Sequence, residues 1–585
     1  MIPPTGEEFD AWHPGLKSEL PPDLLPQVTL YRPTNSEVDY RQAREAAEFC
    51  GLKPQDMIAF RADRLAIHEV LIRVTADFHV PDGPNYEELG LNLRSMAKRL
   101  LDRHVLPRQD ELEAAFEAVR AEARERIDAI LHRDVFAPAE PAPPPKPSFL
   151  ERLVGRDRPM RAEVPAATAP PEIAALAAWQ DALAETEDAL EQACLRSLGM
   201  IVGGIVGRCG RLMADRDLVV RLSTNLVCNS YGSQRIGALI APMLHAAAEA
   251  EGYRLLPRQD APVVLNVKGA SAAGKSTIRP LQRELAERLG VPWEDFALVS
   301  PDYWRKFLLD YDSMGEDFRY AAMLTGQELE IVDRKLDHYM AAKAARGEMT
   351  HLLIDRFRFD SFASDKKDGA EGRLLSRFGD TVFMFFVITP PTETVVRAWK
   401  RGAATGRYKA VDDLLDHNVE AYTGMPELFL TWVNKTQQKV HFEFLDNDVP
   451  FGERPRTAAF GWNGQIHVLD ADCIRKMSRY RRLNVDAKTP EDVYLPGSGP
   501  DEDILARFVE MIPEVVFLDP GGMRMLARIH DRKCIFEVED FLARLDLPTD
   551  RPDTSGGHDA AASPETLRTE LEQERTFTVG QWGSV

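Results

Sequence analysis

Cysteine is scarce in this chain, with six in 585 residues. Cys50, Cys194, Cys209, Cys228, Cys473 and Cys534 form no C-x-x-C pair and stand beside no histidine at ligand spacing, so they predict reduced, mostly buried thiols and argue against a zinc site. The thirteen histidines form no metal-spaced cluster either. Long apolar runs are missing: "MIVGGIVG" and "VFMFFVI" have the length of buried core segments and fall short of the roughly 18 residues of a membrane span. The opening "MIPPTGEEFDAWHPG" has no basic head followed by an apolar stretch, which excludes a secretory signal and leaves a cytosolic address as the expectation. Positive charge is outnumbered, with 72 Lys and Arg against 93 Asp and Glu for a formal charge of −21. That balance disfavours a general nucleic-acid binder while leaving room for a local basic groove. No internal repeat is visible.

What is present is too long for one core, since cores stop growing at roughly 250–300 residues. A 44% hydrophobic and 28% charged composition is that of a folded globular protein. Residues 1–136 predict a helical N-terminal domain, most clearly in "DELEAAFEAVRAEARERIDAILHRDVF", where Leu112, Phe116, Val119, Ile127 and Ile130 form one apolar stripe. Residues 137–171 are Pro-rich, which is linker chemistry. A helical segment follows over 172–254. From 255 to 482 the short apolar runs "VVLNVK", "FALVS", "HLLID", "TVFMFFVIT", "HFEFL" and "IHVL" alternate with helical stretches, predicting a parallel sheet flanked by helices. Residues 483–548 predict a small C-terminal extension. Residues 549–585 are poor in apolar residues and predict an unfolded tail.

The sharpest signal lies at "VKGASAAGKSTI". The pattern G-x-x-x-x-G-K-[ST] runs from Gly269 through Ala270, Ser271, Ala272, Ala273, Gly274 and Lys275 to Ser276. Small residues let successive backbone N–H groups approach an anion at the start of a helix. Lys275 would reach the β- and γ-phosphates, Ser276 would ligate Mg²⁺, and Thr277 would assist at the α-phosphate. An apolar strand leads in and the amphipathic "LQRELAERLG" leads out, which is the context this P-loop motif needs. Pro280, one turn beyond, removes a helix hydrogen bond and predicts a bend. The competing reading is a Gly-rich turn that binds nothing.

Three later features favour a kinase. "VSPDYW" puts Asp302 at the carboxyl edge of the sheet, where an aspartate could orient and deprotonate an acceptor hydroxyl. Equally, Ser300, Pro301 and Asp302 make an ordinary helix start. "HLLIDRF" ends in Asp355, placed to hold Mg²⁺ or to be a solvated strand end. Arg356 and Arg358 beyond it alternate with aromatics and suit either substrate phosphates or a strand edge. From Arg373 to Val411, Arg373, Arg377, Arg397, Lys400, Arg401, Arg407 and Lys409 face only Asp380 and Glu393, a local inversion of charge that suits a lid closing over phosphates. A GTPase would need N-K-x-D, and "VNKTQ" lacks the aspartate.

This order of loop, Asp302, carboxylate strand end and arginine-bearing lid resembles the zeta toxin family of small-molecule kinases, over roughly residues 258–475. The resemblance implies ATP and Mg²⁺ as cofactors. Lys275 and Ser276 match the family's loop residues, Asp302 its base, Asp355 its strand carboxylate, and Arg397 and Arg407 its lid arginines, with Arg401 as a competitor. Where the family usually has Glu and a Gly-rich turn, this chain has Asp355-Arg356-Phe357. The resemblance further implies a small hydroxyl acceptor such as a nucleotide-sugar or nucleotide, and offers residues 1–250 as an intramolecular restraint. Two other readings fit the same residues. One is a nucleic-acid end kinase, with "RKMSRYRRL" as a backbone track and Tyr480 stacking bases. The other is a non-catalytic ATP-gated switch.

Overall fold

A computed structural model of the chain describes residues 9–83, 87–137, 170–356, 375–450, 452–495, 503–547 and 564–583. Most of the Pro-rich segment expected over 137–171, Arg358, Arg373 and the first part of the expected tail lie outside these residues.

The chain divides into two compact units. One, made of residues 26–69 and 102–244, is helical. Its longest helix, Gln109–Leu131, buries Leu112, Phe116, Val119, Ile127 and Ile130, the stripe read from the sequence. Side-chain caps start its helices: Asp39 forms a capping box with Gln42, and Asp188 and Asp215 accept from first-turn amides. The helix Ala189–Cys209 has a mean hydropathy of 1.3 and, by length and composition, could cross a membrane. It buries Leu190, Leu195, Leu198, Ile201, Val202 and Ile205, as a core helix does.

The other unit combines residues 1–25, 70–101 and 245–585. The expected boundaries after 136 and 254 are therefore corrected. Residues 70–101 belong with the sheet, because their polar groups are satisfied there. Asp77 pairs with Lys343 at 2.7 Å and accepts from Tyr339 at 2.5 Å, Thr75 accepts from the indole of Trp304 at 3.2 Å, and Arg94 donates to the Tyr303 carbonyl at 3.3 Å. Severing them would strand buried polar groups.

Ten strands form one sheet: β1 (Val263–Lys268), β2 (Phe296–Val299), β3 (His351–Asp355), β4 (Thr381–Ile388), β5 (Lys439–Asp446), β6 (Arg456–Trp462), β7 (Gln465–Val468), β8 (Glu514–Leu518), β9 (Met525–His530) and β10 (Lys533–Glu537). Their order is β10-β9-β8-β7-β6-β5-β4-β1-β3-β2. The five strands β5-β4-β1-β3-β2 run parallel, and β4 buries every residue but Thr381, as a strand covered on both faces must. The rest is mixed, with β6 antiparallel to both its neighbours and β8 parallel to β7. The expected small extension over 483–548 thus continues the sheet through β8, β9 and β10. After β3 the chain passes back over β1 to β4, so β1 stands at the point where the strand order reverses. Ligands of open α/β sheets bind outside the carboxyl ends of the strands at such a point.

The C-terminal residues correct the expectation of an unfolded tail. Pro564–Arg575 is a helix, and the segment after it docks on β6: Thr457 and Gln581 join backbone to backbone at 3.0 Å, and Val579 and Trp582 are buried. Glu443 of β5, fully buried, accepts from the amides of Val579 at 2.7 Å and Gly580 at 2.9 Å and from the Thr457 hydroxyl at 2.6 Å.

Candidate functional site

β1 ends in Lys268, and the loop 269–274 then turns into a 3-10 segment, Lys275–Ile278, before the helix Arg279–Arg288. Pro280 sits in the first turn of that helix, where its missing N–H costs nothing. The expected bend is instead a change of helix type ahead of the proline.

The loop's shape follows from its residues. Ala272 and Gly274 both have positive φ, 61° and 96°, an alternation that turns successive N–H groups toward one side. A Cβ on Gly269 would sit 3.0 Å from the Val387 carbonyl oxygen, and one on Gly274 only 2.4 Å from Asn447 Nδ2. The loop is pinned from the neighbouring strand ends: the Ala273 carbonyl accepts from Thr389 Oγ1 at 2.8 Å and from Asn447 Nδ2 at 2.7 Å. Lys275 folds back so that its Nζ donates to the carbonyls of Gly269 at 3.1 Å and Ala270 at 3.0 Å. Burial pushes its pKa down, against the pull of Asp355 and Asp302. Thr277 donates to the Gly274 carbonyl at 2.7 Å and closes the turn.

Ser276 donates to Asp355 at 2.6 Å, so the hydroxyl and the β3 carboxylate share one spot although 79 residues separate them. Arg356, next in the chain, is buried and paired with Asp333 and Asp337, both at 2.6 Å, on the helix Gly326–Ala345. It therefore anchors the end of β3, and its burial keeps the guanidinium from solvent, which favours the structural reading of Arg356 over a contact to substrate phosphates. Behind the loop, Lys268 is fully buried. Burial, with Arg356 and Lys275 nearby, lowers its pKa to about 7.

Asp302 lies in a 3-10 turn, Pro301–Trp304, whose preceding Ser300 makes no capping hydrogen bond. Its two oxygens meet Arg305 Nε at 2.9 Å and Arg407 Nη2 at 2.7 Å, with the side chain 48% exposed. Burial of the site raises its pKa, but Arg407, Arg305 and Arg401 more than offset that and hold it well below the usual carboxylate range.

The expected lid is two helices, Pro391–Thr405 and Val411–Val433, joined by a five-residue turn. Arg407 in the turn reaches Asp302. Arg397, expected to act as a lid arginine, donates to the carbonyls of Asn447 at 2.9 Å and Val449 at 3.4 Å, and its Nη1 stands 3.6 Å from where a Cβ on Gly274 would lie, beside the loop. Arg401 stands near enough to shift Lys275, Asp302 and Lys409 electrostatically.

Lys409, counted in the sequence only toward the lid's charge, completes the site together with two residues that the sequence did not single out, Asp413 and His417. Lys409 Nζ lies 3.2 Å from Ser271 Oγ, 3.3 Å from Asp413 Oδ2 and 2.5 Å from His417 Nδ1. His417 Nδ1 also meets Ser271 Oγ at 3.0 Å, while its Nε2 is 3.3 Å from Asp413 Oδ1. Lys409 Nζ also lies 3.1 Å from Nε2, so the ammonium, which can only donate, stands against both nitrogens of the ring. Burial, with Lys409 beside it, drives the imidazole pKa down to about 2. Asp413 and His417, four apart, share one face of the helix Val411–Val433, while Lys409 comes to them from the turn before it.

Among the described residues no three His, Cys, Asp or Glu side chains gather at metal-binding distance. A cavity of about 580 Å³ lined by His79, Asp82, Arg283 and Trp293 shares no lining residue with this site. Comparison of the chain with protein-family models, with curated proteins and with solved structures finds no match.

Proposed function

We propose that the chain is an ATP-dependent P-loop phosphotransferase of the zeta toxin-like kind, moving the γ-phosphoryl group to an alcohol. One observation carries this reading: at the strand-order reversal, the Gly269–Ser276 loop, the Ser276–Asp355 pair and the Asp302–Arg407 pair meet at one sheet edge. A chance Gly-rich turn has no reason to collect a hydroxyl–carboxylate pair and a carboxylate–arginine pair from segments far apart in sequence.

The roles follow from chemistry. Backbone amides of the loop and Lys275 hold phosphates. Ser276 and Asp355 fit Mg²⁺, which takes few protein oxygens and keeps water and phosphate as its other ligands. When bound there it would neutralise phosphate charge. Asp302, ionised and half exposed, accepts a hydrogen bond from the acceptor hydroxyl and aligns it. Arg407 and Arg401 stabilise charge on the transferred group. Arg94 and Lys306 stand close enough to Arg407 for each to feel its charge, which supports an anionic acceptor such as a nucleotide or nucleotide-sugar. Tyr480 is only 5% exposed and has no face for a base to stack on, which weighs against a nucleic-acid end kinase.

The test is incubation of the protein with labelled ATP, Mg²⁺ and a small-metabolite extract. A labelled anionic alcohol is expected, and Lys275→Ala should lower its formation by about 10²–10³-fold with melting unchanged. Wild-type turnover in Lys275→Ala would sink the reading.

A further inference from the structure

We propose that Lys409 is a further phosphate-binding cation of this site, contacting the terminal phosphate of a bound nucleoside triphosphate alongside Lys275. The inference rests on the phosphotransferase reading. Its geometry begins with Lys275. In a loop of this kind that lysine reaches the β- and γ-phosphates, and here its Nζ rests on the carbonyls of Gly269 and Ala270. The β/γ end of the cradle therefore lies by the first residues of the loop. Ser271 is the next residue, and Lys409 Nζ stands 3.2 Å from its hydroxyl.

Lys409 is also held as a binding group would be. The turn after Gly406 delivers it, and the helix Val411–Val433 supplies Asp413 and His417 as its supports. Its single carboxylate neighbour there is 3.3 Å away, while its other named partners, a hydroxyl and a neutral imidazole, carry no charge. Burial lowers its pKa to about 8, with Arg401 on the preceding helix and Arg305 beside Asp302 acting in the same direction and Asp413 opposing them. A mostly buried ammonium that feels two guanidinium groups and has one carboxylate neighbour gains from an arriving anion. A lysine that only tied helix to loop would have no preference for one nucleotide over another.

The experiment titrates a fluorescent ATP analogue and its ADP counterpart, each with Mg²⁺, into the full chain and into Lys409→Met, Lys409→Arg and Lys275→Ala, with melting followed in parallel. Lys409→Met is expected to weaken the triphosphate by about 10–100-fold, as for loss of a charged hydrogen bond, and the diphosphate by far less. Lys409→Arg should restore the difference. In the wild type the preference for triphosphate should decline as pH rises above about 8, where free Lys409 loses its proton, and Lys409→Arg should keep it. Equal losses for both nucleotides, or none, overturn the proposal. If Lys409→Met does not fold, a pH profile in Lys409→Arg matching the wild type overturns it. Loss of binding in Lys275→Ala beside unchanged discrimination in Lys409→Met sinks this inference alone, whereas a wild-type chain that binds neither nucleotide sinks the phosphotransferase reading as well.

Discussion

On the proposed phosphotransferase reading, Asp302 would face an acceptor hydroxyl and yet remain charged in a crowded site. The arginines resolve that conflict, because Arg407 and Arg305 occupy one oxygen each and keep the carboxylate ionised far into acid. A carboxylate so stabilised is a weak base, so its contribution is alignment more than proton removal. Asp302→Asn keeps the shape and removes the charge. It should slow phosphoryl transfer by about 10²-fold, as for lost alignment, while nucleotide affinity changes little, as read by labelled-ATP transfer beside a binding titration. The pH dependence follows with its sign: a folded pKa below the ordinary carboxylate value leaves Asp302 charged throughout pH 5–8, so it adds no acid limb to the rate. An acid limb near pH 6 that disappears in Asp302→Asn would contradict the arginine pairing.

At the scale of elements, the strands that carry the site were legible and the rest of the sheet was not. β1 to β5 and β7 are apolar runs bounded by polar residues, as strands buried on both faces read. β6 escaped notice because "RTAAFGW" interrupts its apolar residues with Arg, Thr and Gly, and β9 because it mixes buried Ala527 and Ile529 with partly exposed neighbours. The loop announced itself by glycine spacing, and Asp302 and Asp355 by standing at strand ends. The Lys409, Asp413 and His417 cluster depends on packing across to Ser271, which spacing alone does not reveal. The docked C-terminal segment was hidden by composition, since its anchors are few: Val579 and Trp582 bury their side chains after a long polar stretch. Trp582 packs on Phe460 with ring centroids 4.5 Å apart. Trp582→Ala should cost about 3–5 kcal/mol, as for other buried aromatics cut to alanine, read as a lower urea midpoint by circular dichroism. An unchanged midpoint would mean that the segment does not hold the sheet.

For the sheet-bearing unit as a whole, buried histidines set the response to acid. His441 is inaccessible on β5, with neither ring nitrogen hydrogen-bonded and Phe383, Trp462 and Phe577 around it. Burial, with His467 and Lys439 adding to it, lowers its pKa to about 3. Burial and Arg528 lower that of His467 to about 4, and His417 is lowered to about 2. A histidine whose folded pKa is depressed contributes its full stability above the unfolded value of about 6.5 and loses it as pH falls toward the folded value. Between pH 6.5 and about 4, each of the three should therefore remove about 1.4 kcal/mol per pH unit. Glu443 works in the other sense. Burial raises its pKa to about 7 despite Thr457, Val579 and Gly580, so its ionised form is disfavoured in the folded chain and acidification from about 7 to 4.5 relieves that cost. His79 and His351, also lowered by burial, add to the loss, and Glu574, raised by burial, joins Glu443 against it; the histidines outnumber the two carboxyl groups, and the urea midpoint should fall below pH 6.5. His441→Phe separates the causes, because phenylalanine suits the aromatic surroundings and cannot ionise. Its midpoint should match or exceed the wild type at pH 7.5 and pull ahead progressively at pH 6.5, 5.5 and 4.5. Two curves that stay parallel across that range would show that the charge on His441 does not govern acid unfolding.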